Sequence, residues 1–294
     1  MNVLEVTSKF KTQSKCIKHL ESLKWPNGAF CPYCASSKSC AKTKENRYTC
    51  ISCKSSYSVT VGTIFESSKL PLPKWFLAIV LIKDSKKGVS SLQLARHLGV
   101  NKNTAWFLQH RIRKAMNESL ELDGIVEIDE TYVGGSVSNM HQSYVKKKNI
   151  YPGGMAHKTP VLGMIQRQGK IILKVLPKAN KENIRPFLSS RIGSASTLVT
   201  DGLGVYRTLD KEFNKHVSIN HEKKQKSKGK YNLSSIEGFW AMLKRAVTGI
   251  YHTITVKHLQ SYMDELAFKF NHKFDECIFT TLISRMVDRE IAVI

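Results

Sequence analysis

The stretch Ile125-Val-Glu-Ile-Asp-Glu-Thr-Tyr-Val-Gly-Gly135 decides the fold class. Its alternating pattern is typical of a β-strand, and the two glycines predict where that strand ends. Further segments downstream have strand or amphipathic-helix patterns: strands at 161–166, 170–176 and 196–200, and helices at 183–192, 205–213, 235–247 and 255–270. We therefore predict a larger α/β domain over residues 121–294.

Three acidic residues of this domain, Asp129, Asp201 and Glu237, lie beside apolar runs. A carboxylate in such a place is costly unless it is paired, protonated or metal-bound. Two Mg²⁺ ions held by carboxylates can activate an oxygen nucleophile for phosphodiester cleavage or strand transfer. We therefore predict a site for two Mg²⁺ or Mn²⁺ ions, bridged by Asp129 and completed by Asp201 and Glu237. Asp201 before Gly202 could instead mark only a turn, and Glu237 could be a helix-start acid.

Other acids of the same domain compete for these roles. Glu127 would share the strand face of Asp129, whereas Glu130 would point to the opposite face, because side chains alternate along a strand. Glu265 competes with Glu237, since it too lies on a predicted helix of this domain. The residue pattern alone leaves these alternatives open.

Four of the seven cysteines form two pairs, Cys31-Pro-Tyr-Cys34 and Cys50-Ile-Ser-Cys53, with fifteen residues between the pairs. This spacing is typical of a tetrahedral zinc site, and because all four ligand positions are filled we expect the Zn²⁺ to be structural. We therefore predict a zinc ribbon within residues 1–65. The odd number of cysteines argues for a reducing compartment and against a disulfide framework.

Residues 66–120 have helical patterns and include a predicted helix-turn-helix. Ser90 or Ser91 can cap a first helix, Gly99 suits the turn after it, and Asn101 or Asn103 can cap a second helix from Thr104 to about Met116. We expect the second helix to reach DNA bases or phosphates through five polar residues: Lys102, Asn103, Gln109, Arg111 and Arg113. An ordinary helical hairpin is the alternative interpretation.

The charge of the chain favours nucleic acid as a partner. Lys and Arg number 46 against 23 Asp and Glu, which gives a net charge of +23. Phosphate is the commonest counterpart of such an excess, although ribosome-associated proteins and proteins of anionic membranes share it. The sequence contains neither an apolar run of about 18 residues nor a signal-peptide pattern. We therefore expect a cytoplasmic, nucleoid-associated protein without a membrane span.

These motifs together resemble the zinc-ribbon insertion-sequence transposases with a DDE domain, the ISXO2-like transposases. The resemblance covers residues 30–271, and it rests on the paired cysteines, on the helix-turn-helix and on seven further stretches: 63–66, 74–76, 105–108, 111–113, 126–135, 199–202 and 236–245. It implies a ribonuclease-H-like catalytic domain preceded by a zinc ribbon and a helix-turn-helix. It also implies that Asp129, Asp201 and Glu237 are the three acids of the active site.

The resemblance extends to the spacing around the glutamate. Thirty-five residues separate Asp201 from Glu237, as is familiar in DDE enzymes, and Lys244 occupies the position of a basic residue that would reach a DNA phosphate. One departure is Ser234, because many relatives have an asparagine there that some are thought to use as the third ligand. Ser234 is a poor substitute, so the chain is either a Glu237 enzyme or an impaired copy. His221 is a weaker candidate for assisting at the site.

We therefore predict a DNA transposase of a bacterial-type insertion sequence. It would bind double-stranded DNA at terminal inverted repeats, cleave it and join it to target DNA, and we expect a homo-oligomer because two ends must be joined. The main alternative is an inactive or domesticated transposase that serves as a sequence-specific DNA-binding regulator. A second alternative is a metal-dependent nuclease of the same fold that cuts without joining.

Overall fold

Two separately packed units divide the chain. The first combines Met1–Asn117 with the residues from Phe274 onward, and the second is Glu118–Lys273. The computed structural model describes residues 1–39, 45–135, 137–147, 150–151, 154–155, 157–207, 209, 212–220 and 225–288. The sequence predicts a single domain over residues 121–294. The structure corrects the C-terminal end of that range, because the chain returns to the first unit at Phe274.

The first unit is mainly helical. Its helices are α1 (Val3–Lys9), α2 (Gln13–Lys24), α3 (Leu72–Asp84), α4 (Ser91–Leu98), α5 (Lys102–Lys114) and α10 (Ile278–Met286). A short antiparallel hairpin of β1 (Tyr48–Thr49) and β2 (Ser56–Tyr57) lies between α2 and α3 in sequence. α10 contacts α2 and α3, and the rings of Phe10, Phe76 and Phe279 meet with centroids 4.8–6.1 Å apart. This aromatic contact explains why the chain from Phe274 belongs to the first unit.

Local capping sets the boundaries of α4 and α5 as the sequence predicted. The Ser90 side chain accepts the N–H of Gln93, and Gly99 ends α4 in the left-handed conformation with φ of 59°. The Asn101 side chain accepts the N–H of Thr104 over 2.7 Å and so begins α5. Only residues 99–101 therefore separate the two helices.

A five-stranded mixed sheet forms the centre of the second unit. Its strands are β3 (Ile125–Val133), β4 (Thr159–Gln166), β5 (Ile171–Val175), β6 (Thr197–Asp201) and β7 (Lys215–Ile219). They lie in the order β5-β4-β3-β6-β7. β4 pairs antiparallel with both β5 and β3, whereas β6 pairs parallel with both β3 and β7. The helices are α6 (Gln142–Lys147), α7 (Lys181–Ser189), α8 (Ser234–Ala246) and α9 (Val256–Asn271), and a π-helical turn, Val247–Tyr251, follows α8.

Alternation along the strands gives the sheet two apolar faces with different coverings. One face, which includes Val161 and Val199, packs against α8 and α9. The other face, which includes Val126 and Ile128, packs against α7 and Tyr206. Each side chain of β3 is therefore assigned to one of these faces by its position in the strand.

The structure departs from the predicted elements in two places of this unit. β7 was not predicted, because Lys215-His-Val-Ser-Ile219 has a weak apolar pattern and depends on its pairing with β6. Where the sequence predicts a helix at 205–213, the structure has a 3-10 turn, Gly204–Tyr206, at the start of that range, and residues 208, 210 and 211 lie outside the described part. In the described part of the chain, we find no helix with both the length and the apolar character of a membrane span.

Candidate active site and zinc centre

The pairing of β3 with β6 brings Asp129 level with Asp201. Glu127 lies opposite Val199 in this parallel pair, and the two aspartates each follow two residues later. Residues two apart on a strand share a face, so both acids lie on the face that α8 covers. Neighbouring strands are about 4.8 Å apart, so this register brings the two carboxylates to one place.

Asp129 interacts electrostatically with both of the other predicted acids. Burial, with smaller contributions from the charges of Asp201 and Glu237, raises the pKa of Asp129 to about 6. The indole N–H of Trp240 donates to Oδ2 of Asp129 over 2.9 Å and partly opposes this rise. Because nearby like charges raise a carboxyl pKa, Asp201 and Glu237 lie within electrostatic range of Asp129. A divalent cation would relieve their repulsion, so the donor set fits Mg²⁺ or Mn²⁺.

Gly163 makes room for the contact between Trp240 and Asp129. It lies directly opposite Asp129 in the β3–β4 pair. A Cβ atom at Gly163 would lie 2.5 Å from Cη2 and Cζ2 of Trp240 and 2.8 Å from Cδ1 of Ile236. The indole ring therefore packs directly over the glycine backbone, as a glycine inside a strand often permits.

Glu237 and Lys244 lie on the exposed side of α8. They are seven residues apart, which is about two helical turns, so they share one face of the helix. The opposite side of α8 is buried in the core through Ile236, Phe239, Trp240 and Leu243. The helix thus exposes Glu237 and Lys244 to solvent on the side that faces away from its buried core residues.

The four paired cysteines form a compact cluster in the first unit. Their Sγ atoms all lie within 4.8 Å of one another, and Cys31–Cys53 and Cys34–Cys50 are each 3.6 Å apart. Tetrahedral zinc with bonds of about 2.3 Å requires sulfur separations of about 3.8 Å, so the cluster fits Zn²⁺. The three carboxylates do not form a comparably close group among the described residues.

Comparisons with known proteins agree with this geometry. A family model described as the ISXO2-like transposase domain matches residues 121–271, and one described as the transposase zinc-ribbon domain matches residues 11–56. The chain belongs to the ISXO2-like transposases. An uncharacterized protein in transposable element ISH50 of Halobacterium salinarum is 28% identical over 214 residues, which cover 69% of this chain and 72% of that protein. The family resemblance that the sequence predicted is therefore confirmed.

Two of the competing acids of this ISXO2-like transposase have protein partners of their own. Glu265 is buried on α9, where its carboxylate accepts from Tyr251 over 3.0 Å and from Lys269 over 2.5 Å. Glu130 lies on the opposite face of the sheet and accepts a hydrogen bond from Tyr206. Burial first, and then the charges of Asp201 and Asp129, raise the pKa of Glu130 to about 7.

Asp201 has a local structural role in addition to its place beside Asp129. Its Oδ1 accepts the backbone N–H of Leu203 over 3.1 Å, which forms the turn that the Asp-Gly pair suggested. Its backbone oxygen accepts from the Ser218 hydroxyl over 3.1 Å. The turn fixes the carboxylate at the end of β6, so the structural and the functional interpretation of Asp201 are compatible.

The structure separates the five predicted DNA-contacting residues of α5 into two groups. Lys102 and Asn103 are exposed, and Arg111 is half-buried, donating to the backbone oxygen of Glu66 over 2.7 Å. Gln109 and Arg113 are only 2% and 1% exposed, so the expectation that they reach DNA is wrong. They lie on the apolar face of α5, which is why helical periodicity turns them inward.

Gln109 holds the two helices of this segment together. Its amide nitrogen donates to the backbone oxygen of Val89 over 2.7 Å, and its amide oxygen accepts from the Ser91 hydroxyl over 2.7 Å. Both partners lie at the start of α4. A buried amide with both of its groups satisfied stabilises the helix pair instead of contacting a ligand.

Ser234 occupies the position at which the family resemblance implies an asparagine in many relatives. Ser234 is the first residue of α8 and is exposed, and its backbone N–H donates to Oδ1 of Asn232 over 3.1 Å. His221 lies outside the described residues. Sequence reasoning did not identify Gly163 as a determinant of the site, although a glycine inside a strand pattern signals a close approach of another group.

Proposed function

We propose that this chain is an active metal-dependent DNA transposase whose catalytic acids are Asp129, Asp201 and Glu237. The observation that carries the proposal is the register of β3 with β6, which places Asp129 and Asp201, distant in sequence, on the sheet face that α8, the helix of Glu237, covers. Membership in a transposase family and the relative in a transposable element support the same function. The mixed sheet, with three antiparallel strands followed by two parallel ones, supports a ribonuclease-H-like fold.

The three carboxylates would hold two Mg²⁺ or Mn²⁺ ions. When bound, such ions activate an attacking oxygen and stabilise charge on the phosphate in an in-line displacement. The Trp240 N–H fixes the orientation of Asp129 through Oδ2, as outer-shell donors do for metal ligands. Lys244, on the exposed face that it shares with Glu237, would bind a DNA phosphate close to the reacting bond.

We propose that α4 and α5 form a helix-turn-helix that binds the terminal inverted repeats. The exposed face of α5 offers Lys102, Asn103, Phe107 and Lys114 to DNA, and Phe107 is 63% exposed. Lysines suit phosphates, asparagine suits adenine, and an apolar side chain suits the methyl group of thymine. The net charge of +23 supports binding to both the repeats and the target DNA.

The rest of the proposal follows from the reaction. Two DNA ends must be joined, so we propose that the active form is a homo-oligomer at the nucleoid in the cytoplasm.

We propose that the zinc ribbon is a structural module of the N-terminal DNA-binding part, divided from the helix-turn-helix near residue 65 and from the catalytic domain near residue 120. The four-cysteine cluster supports the structural role of Zn²⁺.

A strand-transfer assay tests the proposal with two matched variants. The full chain is incubated with Mg²⁺ and labelled DNA that carries the ends of the element. We expect Asp201→Asn to lose cleavage and joining, because it removes a carboxylate of the proposed metal site. Asp123→Asn changes an exposed aspartate before β3 and should react as the wild type does.

The outcomes separate the three functions considered. Joining by Asp201→Asn would refute the assigned site. Cleavage without joining by the wild type would identify a nuclease, and specific end binding without any reaction would identify a regulator.

A further inference from the structure

Glu127 is a fully buried acid two residues before Asp129 on β3, with a relative exposure of 0%. Its Oε2 accepts the backbone N–H groups of Ser235 over 2.9 Å and of Ile236 over 3.2 Å. Its Oε1 accepts the Ser235 hydroxyl over 3.0 Å, and Arg167 donates to it from Nη2 over 2.9 Å and from Nε over 3.2 Å. These partners occupy the carboxylate, so Glu127 is a poor candidate for a metal ligand.

One amide at the start of helix α8 has a local acceptor, because the Asn232 side chain accepts the N–H of Ser234 over 3.1 Å. The residue at its N-cap position is Leu233, which makes no side-chain capping bond. The first N–H groups of a helix have no partner within the helix, and a Ser, Thr, Asp or Asn side chain usually accepts one of them. Glu127 supplies that acceptor from the neighbouring strand, and a carboxylate also suits the positive end of the helix dipole.

A second hydrogen bond links α8 to β3, closer to the C-terminal end of both elements than the bonds of Glu127. On α8, Trp240 follows Ile236 by four residues and donates to Asp129, which follows Glu127 by two residues on β3. Four helical residues rise about 6 Å and two strand residues advance about 6.7 Å, so the two contacts match in spacing. The contacts therefore fix both the position and the direction of α8 along β3. Glu237 lies between the two contact points on the helix.

We propose that Glu127 is a positioning residue for the candidate active site. By capping α8 from the sheet, it sets where the helix begins and so holds Glu237 beside Asp129. The consequence for metal binding rests on the proposed function. The cap itself does not, because it is a property of the metal-free chain.

Hydrogen exchange in the metal-free full-length chain tests the cap directly. In Glu127→Gln the side chain keeps its size but has one acceptor oxygen instead of two, so the amides of α8 and Arg167 cannot both be satisfied. We expect the exchange rates of the Ser235 and Ile236 amides to rise at least about tenfold, since uncapped first-turn amides open readily. Unchanged exchange at both amides would overturn the proposal.

Glu265→Gln is the matched control in the same unit. Glu265 is also a buried acid, 1% exposed, and it pairs with Lys269 on α9 away from the start of α8. We expect this variant to leave exchange at Ser235 and Ile236 unchanged. Equal acceleration in both variants would show a general loss of stability and would refute a specific cap.

Mn²⁺ binding to the same full-length variants tests the positioning role. We expect Glu127→Gln to weaken Mn²⁺ binding by about 10- to 100-fold, the usual effect of losing an outer-shell contact, while Glu265→Gln binds as the wild type does. Wild-type affinity in Glu127→Gln would refute the positioning role even if the amides exchange faster. Absence of Mn²⁺ binding in the wild type would instead refute the proposed metal site, while the exchange result would still decide the cap.

A second substitution keeps the proposal testable if Glu127→Gln does not fold. Glu127→Asp retains a carboxylate beside Arg167 but withdraws it by one methylene from the start of α8. We expect the same acceleration of exchange at Ser235 and Ile236. Exchange as slow as in the wild type would overturn the proposal.

Discussion

Replacing Gly163 by alanine should destabilise the second unit, although Gly→Ala usually favours folding. The new Cβ would lie 2.5 Å from two ring carbons of Trp240 and 2.8 Å from Cδ1 of Ile236. Trp240 is only 5% exposed, and its ring cannot retreat without losing the 2.9 Å bond to Asp129. Overpacking of this kind costs about 1–3 kcal/mol, against about 0.5–1 kcal/mol gained from the stiffer unfolded chain. We therefore expect a net loss of about 1–2 kcal/mol, with a larger loss if the bond to Asp129 breaks.

Gly238→Ala is the internal control for this prediction. Gly238 lies on α8, two residues before Trp240, and a Cβ there would meet nothing within 4 Å. Alanine at this exposed helical position should stabilise the protein by about 0.5–1 kcal/mol. Urea unfolding of the two full-length variants, followed by circular dichroism, measures both changes. If Gly163→Ala is as stable as Gly238→Ala, the packing of Trp240 over Gly163 is not as described.

Three further predictions concern the metal sites and α5. In metal-free protein, Asp129→Asn should gain up to about 3 kcal/mol of stability at pH 7. The gain should shrink towards pH 4. The pKa of Asp129 is about 6 in the folded chain against the usual 3.8, so wild-type stability falls as pH rises through this range. Denaturant unfolding at pH 7 and pH 4 measures the gain, and equal gains at the two pH values would contradict the prediction. Cys31→Ser should accelerate hydrogen exchange around the zinc cluster only, so acceleration throughout the second unit would count against a local structural role. Gln109→Ala should lower the unfolding free energy by about 1–3 kcal/mol. Lys102→Ala should leave the unfolding free energy unchanged and reduce the salt dependence of DNA binding by about one ion. Unchanged stability with a reduced salt dependence in Gln109→Ala would instead identify Gln109 as a DNA contact.

The parts of the structure that the sequence predicted correctly depend on local signals. The alternation of Ile125–Val133 identified β3, because its two faces are buried against different layers. The structure selects Ser90 over Ser91 and Asn101 over Asn103 as caps, and Gly99 ends α4 as predicted, since caps act within a few residues. The cysteine spacing identified the four-thiol cluster, because two tight turns bring each pair together.

The predictions that were wrong or missing depend on contacts between residues that are far apart in sequence. Gln109 and Arg113 have polar side chains, so composition suggested a DNA-facing role, but the register of α5 turns them inward. β7 is stabilised by its pairing with β6 instead of by its own apolar pattern. Phe279 of α10 meets rings that are more than 200 residues earlier in sequence, Phe10 and Phe76. Which unit a helix joins is therefore a question of tertiary packing.

Glu127, Asp129 and Glu130 lie within four positions of β3 but have different hydrogen-bond partners. These partners, and not the residue type, separate a structural carboxylate from the proposed catalytic one. Alternation sends Glu130 to the opposite face, where Tyr206 holds it. Glu127 and Asp129 share a face, but Glu127 receives hydrogen bonds from Arg167 and from the start of α8, so the protein itself satisfies it. Asp129 is half-buried beside two like charges, which raises its pKa and makes its ionised form costly. A cation would remove that cost at Asp129 and would gain little at Glu127, so the proposed metal site at Asp129 has an energetic reason that residue identity alone does not reveal.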